Sequence, residues 1–406
     1  MAETSIPSKE DASATGPLAS GLALEIGVAT LARLILNTSR RFPYTFAPAL
    51  SRSLGVPLTA VTSLLAVNQA TGVLCPIFGP LGDRWGYRLM MLAGLSMLGL
   101  GMLAGGLLPV YGVVLVALFM AGLGRCFFDP ALQSYVGERV PYQRRGRAVG
   151  VIEFSWAGSS LVGIPLVGLM MERLGWRSPF FVLGGLALLG AVLLGTVIPS
   201  DGRRQFGARG RIGFREAWQR LSQERAAMGA IGFSLLVAAA NDNLFVIYGV
   251  WLEMSFGLSI LALGAATTVI GVAELLGEGL TAWIADRVGL KRATLAGLVL
   301  SGLSYALLPL VGHSLLLSLI SLFVIFVTFE FTIVTALSLF TEILPAARGT
   351  MMSSNVAAIS IGRMLGTLIG GPVWLVGGLM ATGLASAIIC GLALGCLVWG
   401  LRNWQA

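Results

Sequence analysis

The sequence predicts an all-α membrane protein of twelve transmembrane helices, divided into two pseudo-symmetric bundles of six. Only 11% of the residues are charged and 56% are hydrophobic, with a mean hydropathy of +0.85, whereas soluble domains carry about 25% charged residues. Apolar segments with the ~20 residues needed to cross ~30 Å of hydrocarbon recur along the chain. A short, charged, glycine-containing segment occurs twice, with Asp83 and Asp286 lying 203 residues apart in a chain of 406. This composition excludes a water-soluble globule.

The apolar segments set the order of the helices. The predicted spans are 22–50, 58–78, 89–108, 111–136, 148–171, 178–198, 227–254, 260–283, 293–312, 315–341, 350–374 and 377–400. The remaining segments divide the chain into four parts. These are a disordered cytoplasmic tail at 1–21, an N-terminal six-helix bundle at 22–198, a cytoplasmic linker at 199–226 and a C-terminal six-helix bundle at 227–406.

The linker contains one helical pattern. Phe214, Trp218 and Leu221 follow the i, i+4, i+7 spacing of a single helix face, which indicates an amphipathic helix on the inner leaflet. A tether that is merely solvated by its arginines explains the same residues.

Basic residues are concentrated in alternate loops, and cytoplasmic loops carry the excess of lysine and arginine. The richer loops hold Arg84, Arg88, Arg139, Arg144, Arg145, Arg147, Arg287, Lys291, Arg292 and Arg348, besides seven arginines of the linker. The opposite loops hold Arg52, Arg173 and Arg177. We therefore expect a multi-pass protein of the cell membrane with both termini in the cytoplasm. The net charge of +8 follows from this loop distribution, so nucleic acid is not an expected partner.

The repeated segment reads Gly79-Pro80-Leu81-Gly82-Asp83-Arg84-Trp85-Gly86-Tyr87-Arg88 in the first half. Its second copy reads Ala285-Asp286-Arg287-Val288-Gly289-Leu290-Lys291-Arg292. The first copy resembles the signature loop between helices two and three of the major facilitator superfamily, and the second resembles its degenerate partner between helices eight and nine. A second short repeat occurs at the starts of spans five and eleven, as Arg144-Arg145-Gly146 and Arg348-Gly349.

The resemblance implies a transporter in which these loops form the cytoplasmic gate. It implies that Asp83 contacts the start of helix eleven and Asp286 the start of helix five. The gating residues expected on this basis are Gly79, Asp83, Arg84, Gly86, Arg88, Arg145, Asp286, Arg287 and Arg348. A set of ordinary charged loops that only fixes the topology is the alternative.

Ionisable side chains also lie inside the apolar spans, where each costs ~2.5–3.5 kcal/mol on insertion scales and marks a candidate functional site. The candidates for the substrate and proton pathway are Asn37, Arg40, Arg41, Arg125, Asp129, Glu153, Trp156, Asp242, Glu274, Glu278, Glu330 and Arg363. Arg125 and Asp129, one turn apart, are expected to form an ion pair. Arg33, near the inner end of its span, is expected to extend to the headgroups. Static ion pairs that only fix helix packing are the alternative to a polar cavity.

Proton coupling is the hypothesis for the embedded carboxylates. Desolvation favours the neutral form of a carboxyl group and a nearby arginine favours the charged form. Glu274 and Glu278, one turn apart, cannot both be ionised cheaply in a dry site. This pair or Asp242 is expected to carry the coupling protons, while Arg40, Arg125 and Arg363 organise the carboxylates or contact an anionic substrate.

The fifth span contains a partial match to a motif of exporters. The segment Gly163-Ile164-Pro165 with Gly168 resembles the antiporter signature of the twelve-helix drug and sugar:proton antiporter branch, although Ile164 and Leu169 replace two of its glycines. Leu118 stands where that branch usually carries an arginine in helix four. The proton-handling arginine of the branch is therefore not transferred to this chain.

The expected function is the secondary active export of a small organic solute by alternating access, driven by proton-coupled antiport. A carrier of organic anions or lysolipid-like amphiphiles is the alternative, and a non-transporting membrane receptor or scaffold is the remote one. No nucleophile–base set, P-loop or metal-ligand cluster indicates an enzyme or a cofactor. The expected partners are a small-molecule substrate, protons and the lipid bilayer, with the protein as a monomer. The cysteines are expected to be small core residues rather than disulfide partners: Cys75, Cys126, Cys390 and Cys396.

Overall fold

The computed structural model describes residues 20–75, 85–140, 142–199, 219, 221–343, 348–402 and 404. The predictions for most of the N-terminal tail, the linker helix and the gating residues Gly79, Asp83 and Arg84 lie outside the described residues. Arg145, Asp286 and Arg348 lie in described helices, but their side chains are outside the description.

Six spans form the first half. They are α1 (Ser20–Thr45, continued by Ala47–Leu54), α2 (Leu58–Ala70, continued by Thr71–Leu74), α3 (Tyr87–Leu107), α4 (Tyr111–Arg139), α5 (Tyr142–Gly158, continued by Ser159–Gly163 and Ile164–Leu174) and α6 (Ser178–Val197). The continuation Ser159–Gly163 is a π-helical turn, so α5 contains one widened turn at its centre.

Six more spans form the second half. They are α7 (Arg225–Phe245, continued by Tyr248–Phe256), α8 (Ile260–Leu280, continued by Thr281–Ala285), α9 (Leu290–Val311), α10 (Leu315–Ile343) and, within the helical run Arg348–Gly400, α11 (348–376) and α12 (379–400). The run divides because Gly377 and Gly378 have non-helical dihedral angles. Length and composition alone give ten spans, or eleven with the bent pair Ala47–Leu54 and Leu58–Leu74. Taking Ala47–Leu54 as the end of α1 and dividing the last run gives twelve within the described ranges.

The two halves repeat the same backbone turns. Every described residue with a positive φ is a glycine, and these six glycines form three pairs that are 202 or 203 residues apart. The pairs are Gly55 with Gly257, Gly86 with Gly289, and Gly175 with Gly378. Gly86 and Gly289 occupy the same place in the repeated loop and precede α3 and α9 with φ of 93° and 90°. Because side chains with a Cβ rarely adopt such angles, glycine is required at both positions.

Close helix packing holds each half together and joins the two. α3 packs on α4 at Gly94 and Gly124, where a Cβ on either residue would collide with the backbone of the other helix. Between the halves, α2 packs on α11 and α5 on α8. The α5–α8 contact includes Gly168 and Gly264, whose backbones meet directly. Small residues allow such approaches in membranes, where hydrophobic burial does not drive helices together.

The prediction for two of the four cysteines is wrong. Cys75 at the end of α2 and Cys126 in α4 form a disulfide, with 4.6 Å between their Cα atoms. The bond depends on the packing of α2 against α4, which the spacing of 51 residues in the sequence does not reveal. Cys390 and Cys396 are free, and Cys390 is buried as expected.

Candidate functional site

A cavity of about 250 Å³ lies between the halves, and we call it the arginine cavity. Its walls come from α1, α2, α4 and α5 of the first half and from α11 of the second. The lining residues that carry charge are Arg40, Arg125, Asp129 and Arg363. Trp156, Gln133 and Ser360 complete its polar surface. Spans from both halves therefore contribute side chains to one site.

A second cavity of about 470 Å³, the wide cavity, adjoins the first. Both are lined by Trp156, Ile359 and Arg363. The wide cavity has an apolar wall formed by α7, α10 and α11. Its remaining lining residues are Glu153, Ala238, Glu278, Phe329, Glu330, Ile333, Val334 and Leu337.

Both cavities lie toward one end of the helices, which we call the cavity end. Gln133, Leu337 and Val356 line them, and these residues approach the loops that follow α4 and α10 and precede α11. At the other end, the closed end, the halves are joined. Thr45 hydrogen-bonds Tyr248 there, and Arg52 pairs with Glu253 at 2.6 Å.

Arg33 does not extend to the headgroups as predicted. It is 7% exposed and forms ion pairs with Asp129 and Glu153, each at 3.1 Å. It also donates to the Ile152 carbonyl. The expected Arg125–Asp129 pair is likewise not the observed one, because the Nε of Arg33 on α1 reaches Asp129 across the helix interface. Arg33 thus joins α1, α4 and α5 within the first half.

Arg41 joins the halves at mid-depth through an ion pair. Its guanidinium forms a two-point ion pair with Glu274 of α8, including an Nη1–Oε2 distance of 2.9 Å. Both residues are buried, with 4% and 1% exposure for Arg41 and Glu274. A buried pair of this kind is strong only when its remaining polar atoms are also satisfied.

The widened turn of α5 supplies several of those contacts, and the Nε of Arg41 has no hydrogen-bond partner among the described residues. The Nη1 of Arg41 lies within hydrogen-bond distance of the Trp156 carbonyl, at 3.1 Å, and of the hydroxyls of Ser159 and Ser160. These three acceptors share the two hydrogens of Nη1 with Glu274. Its guanidinium also lies 3.8 Å from the centroid of the Trp156 ring. Ser160 in turn donates to Glu274. The π-helical turn therefore surrounds the ion pair with hydrogen bonds.

A separate network surrounds Asp242 of α7, which is fully buried. The Tyr44 hydroxyl donates to its Oδ1 at 3.1 Å, and the Nε of Arg363 lies 3.9 Å from its Oδ2. That distance is too long for a hydrogen bond, and Oδ2 has no hydrogen-bond partner among the described residues. Gln69 connects the network to Arg40, because it donates to Tyr44 and accepts from Arg40 at 2.8 Å.

The other predicted residues fall into three groups. Asn37 donates to Ser155 inside the first half, at 3.3 Å. Glu278 and Glu330 line the wide cavity. Glu278 lies one turn from Glu274 on α8, and Glu330 lies on α10. Of the gating residues with described side chains, Arg88 donates to the Gly195 carbonyl and Arg287 lies over the Trp283 ring. These contacts lie away from both cavities and leave the gating role a prediction.

Several polar residues of the site were not among the candidates. Gln69, Ser159 and Ser160 are buried and form part of the networks, and Tyr248 is buried in the closed-end contact. Their signal in the sequence was a polar side chain inside an apolar span, which is weaker than a charge because its insertion cost is smaller. Among the residues that the structure describes, no three His, Cys, Asp or Glu side chains are grouped so as to hold a metal ion.

The family model described as Major Facilitator Superfamily matches this chain over residues 29–241 and again over residues 230–403. The chain belongs to the major facilitator superfamily. As in that family, it is a multi-pass membrane transporter and not an enzyme.

Relatives in the major facilitator superfamily cover most of the chain at low identity. The uncharacterized MFS-type transporters YceJ and YwfA of Bacillus subtilis (strain 168) are 27% and 26% identical, covering 73% and 96% of this chain and 75% and 93% of their own. A multi-drug resistance efflux pump PmrA homolog of Lactococcus lactis subsp. lactis (strain IL1403) is 23% identical over 75% of each chain.

A solved structure supports the superfamily fold. It is a bacterial homologue of the human lysosomal transporter Spinster in an inward-facing and unoccupied conformation. The TM-score is 0.76 at 16% identity, with 96% of this chain and 100% of that chain covered. At this identity the likeness shows the fold alone.

Proposed function

We propose that the protein is a secondary active exporter that moves a small organic solute by alternating access, driven by proton antiport. The observation that carries the proposal is the buried Arg41–Glu274 ion pair, which joins the two halves beside the cavities. A contact of this kind must change when the halves move against each other. A proton on Glu274 would remove one of its two charges and so weaken the attachment between α1 and α8.

The groups around Glu274 favour a proton carrier at this position. Arg41 of α1 pairs with it, Glu278 lies one turn along the same helix, and Glu330 of α10 packs against α8 at Gly277. Tyr248 of α7 hydrogen-bonds Thr267, two turns before Glu274. Carboxyl groups that share a low-dielectric site oppose one another's ionisation in general, and an adjacent arginine favours the charged form of a carboxyl group. We propose that a proton moves among Glu274, Glu278 and Glu330 as the Arg41 contact is made and broken, with Asp242 as the second candidate carrier.

The orientation belongs to the same proposal. The loops at the cavity end hold most of the lysines and arginines, and such loops face the cytoplasm. We propose that the cavities open toward the cytoplasm, that both termini lie there, and that the protein is located in the cell membrane. The parts of the chain would then be the tail at 1–21, a bundle at 22–198, the linker at 199–226 and a bundle at 227–406.

The test is transport by purified protein in proteoliposomes whose lumen is more acidic than the outside. A set of fluorescent organic cations and anions, including ethidium and 2-naphthoate, supplies the solutes. We expect accumulation of at least one solute, abolished by a protonophore. Glu274→Gln should lose accumulation driven by the pH gradient while keeping solute exchange at equal pH, because exchange needs no net proton movement. Glu278→Gln and Asp242→Asn test the other carriers.

Glu253→Gln is the matched control, because it removes the same charge from an ion pair at the closed end whose arginine is largely exposed. It should keep accumulation driven by the gradient. Full gradient-driven accumulation in all three test variants would refute proton coupling through these carboxyl groups. Absence of any flux in the wild-type protein across the set would favour the receptor or scaffold.

A further inference from the structure

The two cavities differ in charge. In the arginine cavity, Arg40, Arg125 and Arg363 line one space, and Asp129 is the only carboxylate among the described residues of its lining. Asp129 is already paired with Arg33, which lies outside that lining. The nearby Asp242 is 3.9 Å from Arg363 and hydrogen-bonded to Tyr44. The three guanidinium groups that face the space therefore outnumber the carboxylates near them.

The side chains around these arginines are neutral donors, acceptors and rings. Arg40 donates to Gln69, and its guanidinium lies 5.4 Å from the centre of the Trp156 ring. Arg363 lies 5.5 Å from the same ring. Ser360 and Gln133 complete the wall. None of these neighbours supplies a negative charge, so the positive field of the arginines is directed into the cavity.

One wall of the wide cavity is apolar. Phe329, Ile333, Val334 and Leu337 follow one face of α10 into it, and Ala238 and Ile359 face them from α7 and α11. It shares Trp156 and Arg363 with the arginine cavity. A bound molecule can therefore extend from one cavity into the other past the indole ring. Of the carboxyl groups that line this cavity, Glu278 and Glu330 are among those assigned above to protons, and Glu153 is paired with Arg33.

We infer that the substrate is an amphiphilic organic anion, with a carboxylate or phosphate group in the arginine cavity and an apolar body in the wide cavity. This inference rests on the proposed transport function and adds the substrate class. Guanidinium groups match the planar or tetrahedral oxygens of such anions with paired hydrogen bonds. A bound anion would also supply the negative charge that Arg40, Arg125 and Arg363 lack. A cation would meet three arginines at the same place.

The experiment measures binding without a pH gradient, by calorimetry on the full-length protein in nanodiscs. The probes share one naphthalene ring and differ in charge: 2-naphthoate, 2-naphthyl phosphate, neutral 2-naphthamide and cationic 2-naphthylmethylammonium. We expect the anions to bind at least about tenfold more tightly than the amide, the size of effect that one charge-assisted hydrogen bond produces. The two anions distinguish a carboxylate site from a phosphate site.

Arg125→Gln should reduce the preference for anions over the amide by about tenfold, and Arg125→Lys should retain most of it because the charge remains. Arg52→Gln, which removes a largely exposed arginine at the closed end, should leave the preference unchanged. Equal binding of amide and anion by the wild-type protein, or tighter binding of the cation, would overturn the inference whatever the variants do. Anion binding in a protein that shows no gradient-driven accumulation would instead contradict the proton-coupling proposal alone.

Discussion

At the scale of single residues, the neighbours of each buried arginine decide what it can do. Arg33 has two carboxylates within 3.1 Å and is held inside one half. Arg41 pairs with one carboxylate, which belongs to the other half, so this ion pair depends on the relative position of the halves. Arg363 is 3.9 Å from its nearest carboxylate oxygen in the described ion pairs. The same residue type thus serves as a structural link, a contact between halves and a lining group of a cavity.

Replacement of Arg33 tests its structural role. Arg33→Met should lower the free energy of unfolding by about 2 kcal/mol, because Asp129 and Glu153 would lose their cation. Breaking a fully buried pair costs ~3–5 kcal/mol, and these carboxylates are only partly buried. Thermal unfolding of the purified protein in detergent measures the change. Arg52→Met, in a largely exposed pair, should cost at most ~1 kcal/mol. Equal losses in the two variants would contradict this assignment.

At the scale of elements, breaks in helices carry as much information as the helices themselves. The π-helical turn Ser159–Gly163 places two serines beside Arg41, next to the Trp156 carbonyl that precedes the turn. π-Helical turns occur often at functional sites because they change which backbone groups are free. The paired glycines at Gly86 and Gly289 place α3 and α9 in the same way in both halves.

Alanine at Gly86 tests the requirement for a positive φ. Gly86→Ala should lower the thermal stability, because φ of 93° with ψ of 144° is a conformation that glycine adopts readily and that costs another residue ~1–3 kcal/mol. Gly185→Ala is the control, since Gly185 is helical, has open space around its Cα and should gain up to about 1 kcal/mol. Thermal unfolding of both purified variants gives the comparison. A loss at Gly185 as large as that at Gly86 would show that the dihedral angle is not the cause.

At the scale of the whole molecule, the halves are joined at the closed end and separated by cavities toward the other end. The closed-end contacts come from α1 with α7, α2 with α11 and α5 with α8. Alternating access requires these contacts to open when the cavity end closes. The Arg41–Glu274 pair lies between the two ends, where such a rotation changes its geometry.

A covalent link at the closed end tests this motion. A Cβ added at Gly371 of α11 would lie 3.2 Å from the Cγ2 of Thr62 on α2, which is close enough for a disulfide between cysteines at these positions. Thr62→Cys with Gly371→Cys, in a background without the four native cysteines, should abolish transport under oxidising conditions. Reduction should restore it. Each single cysteine is the control, and undiminished transport by a protein shown to be cross-linked would exclude opening at this end.

The sequence by itself determined the number of spans and the division into halves. Both follow from local composition and from a repeat along the chain, and the hydrocarbon thickness fixes the length of an apolar helix whatever it packs against. Starts and ends of most predicted spans agree with the described helices within a few residues. The embedded charges were also identified from the sequence, because a charged residue within an apolar segment can be recognised without knowledge of the fold.

Only the tertiary structure decided which of these charges meet. The spacing within α4 suggested Arg125 with Asp129, yet the partner of Asp129 is Arg33, 96 residues away. Glu274 lies 233 residues from Arg41, and the cysteines that join are on different helices. Electrostatic attraction and bond formation depend on distance in space, and helix packing sets that distance. The sequence therefore specified which groups are costly to bury, and the fold specified how their charges are neutralised.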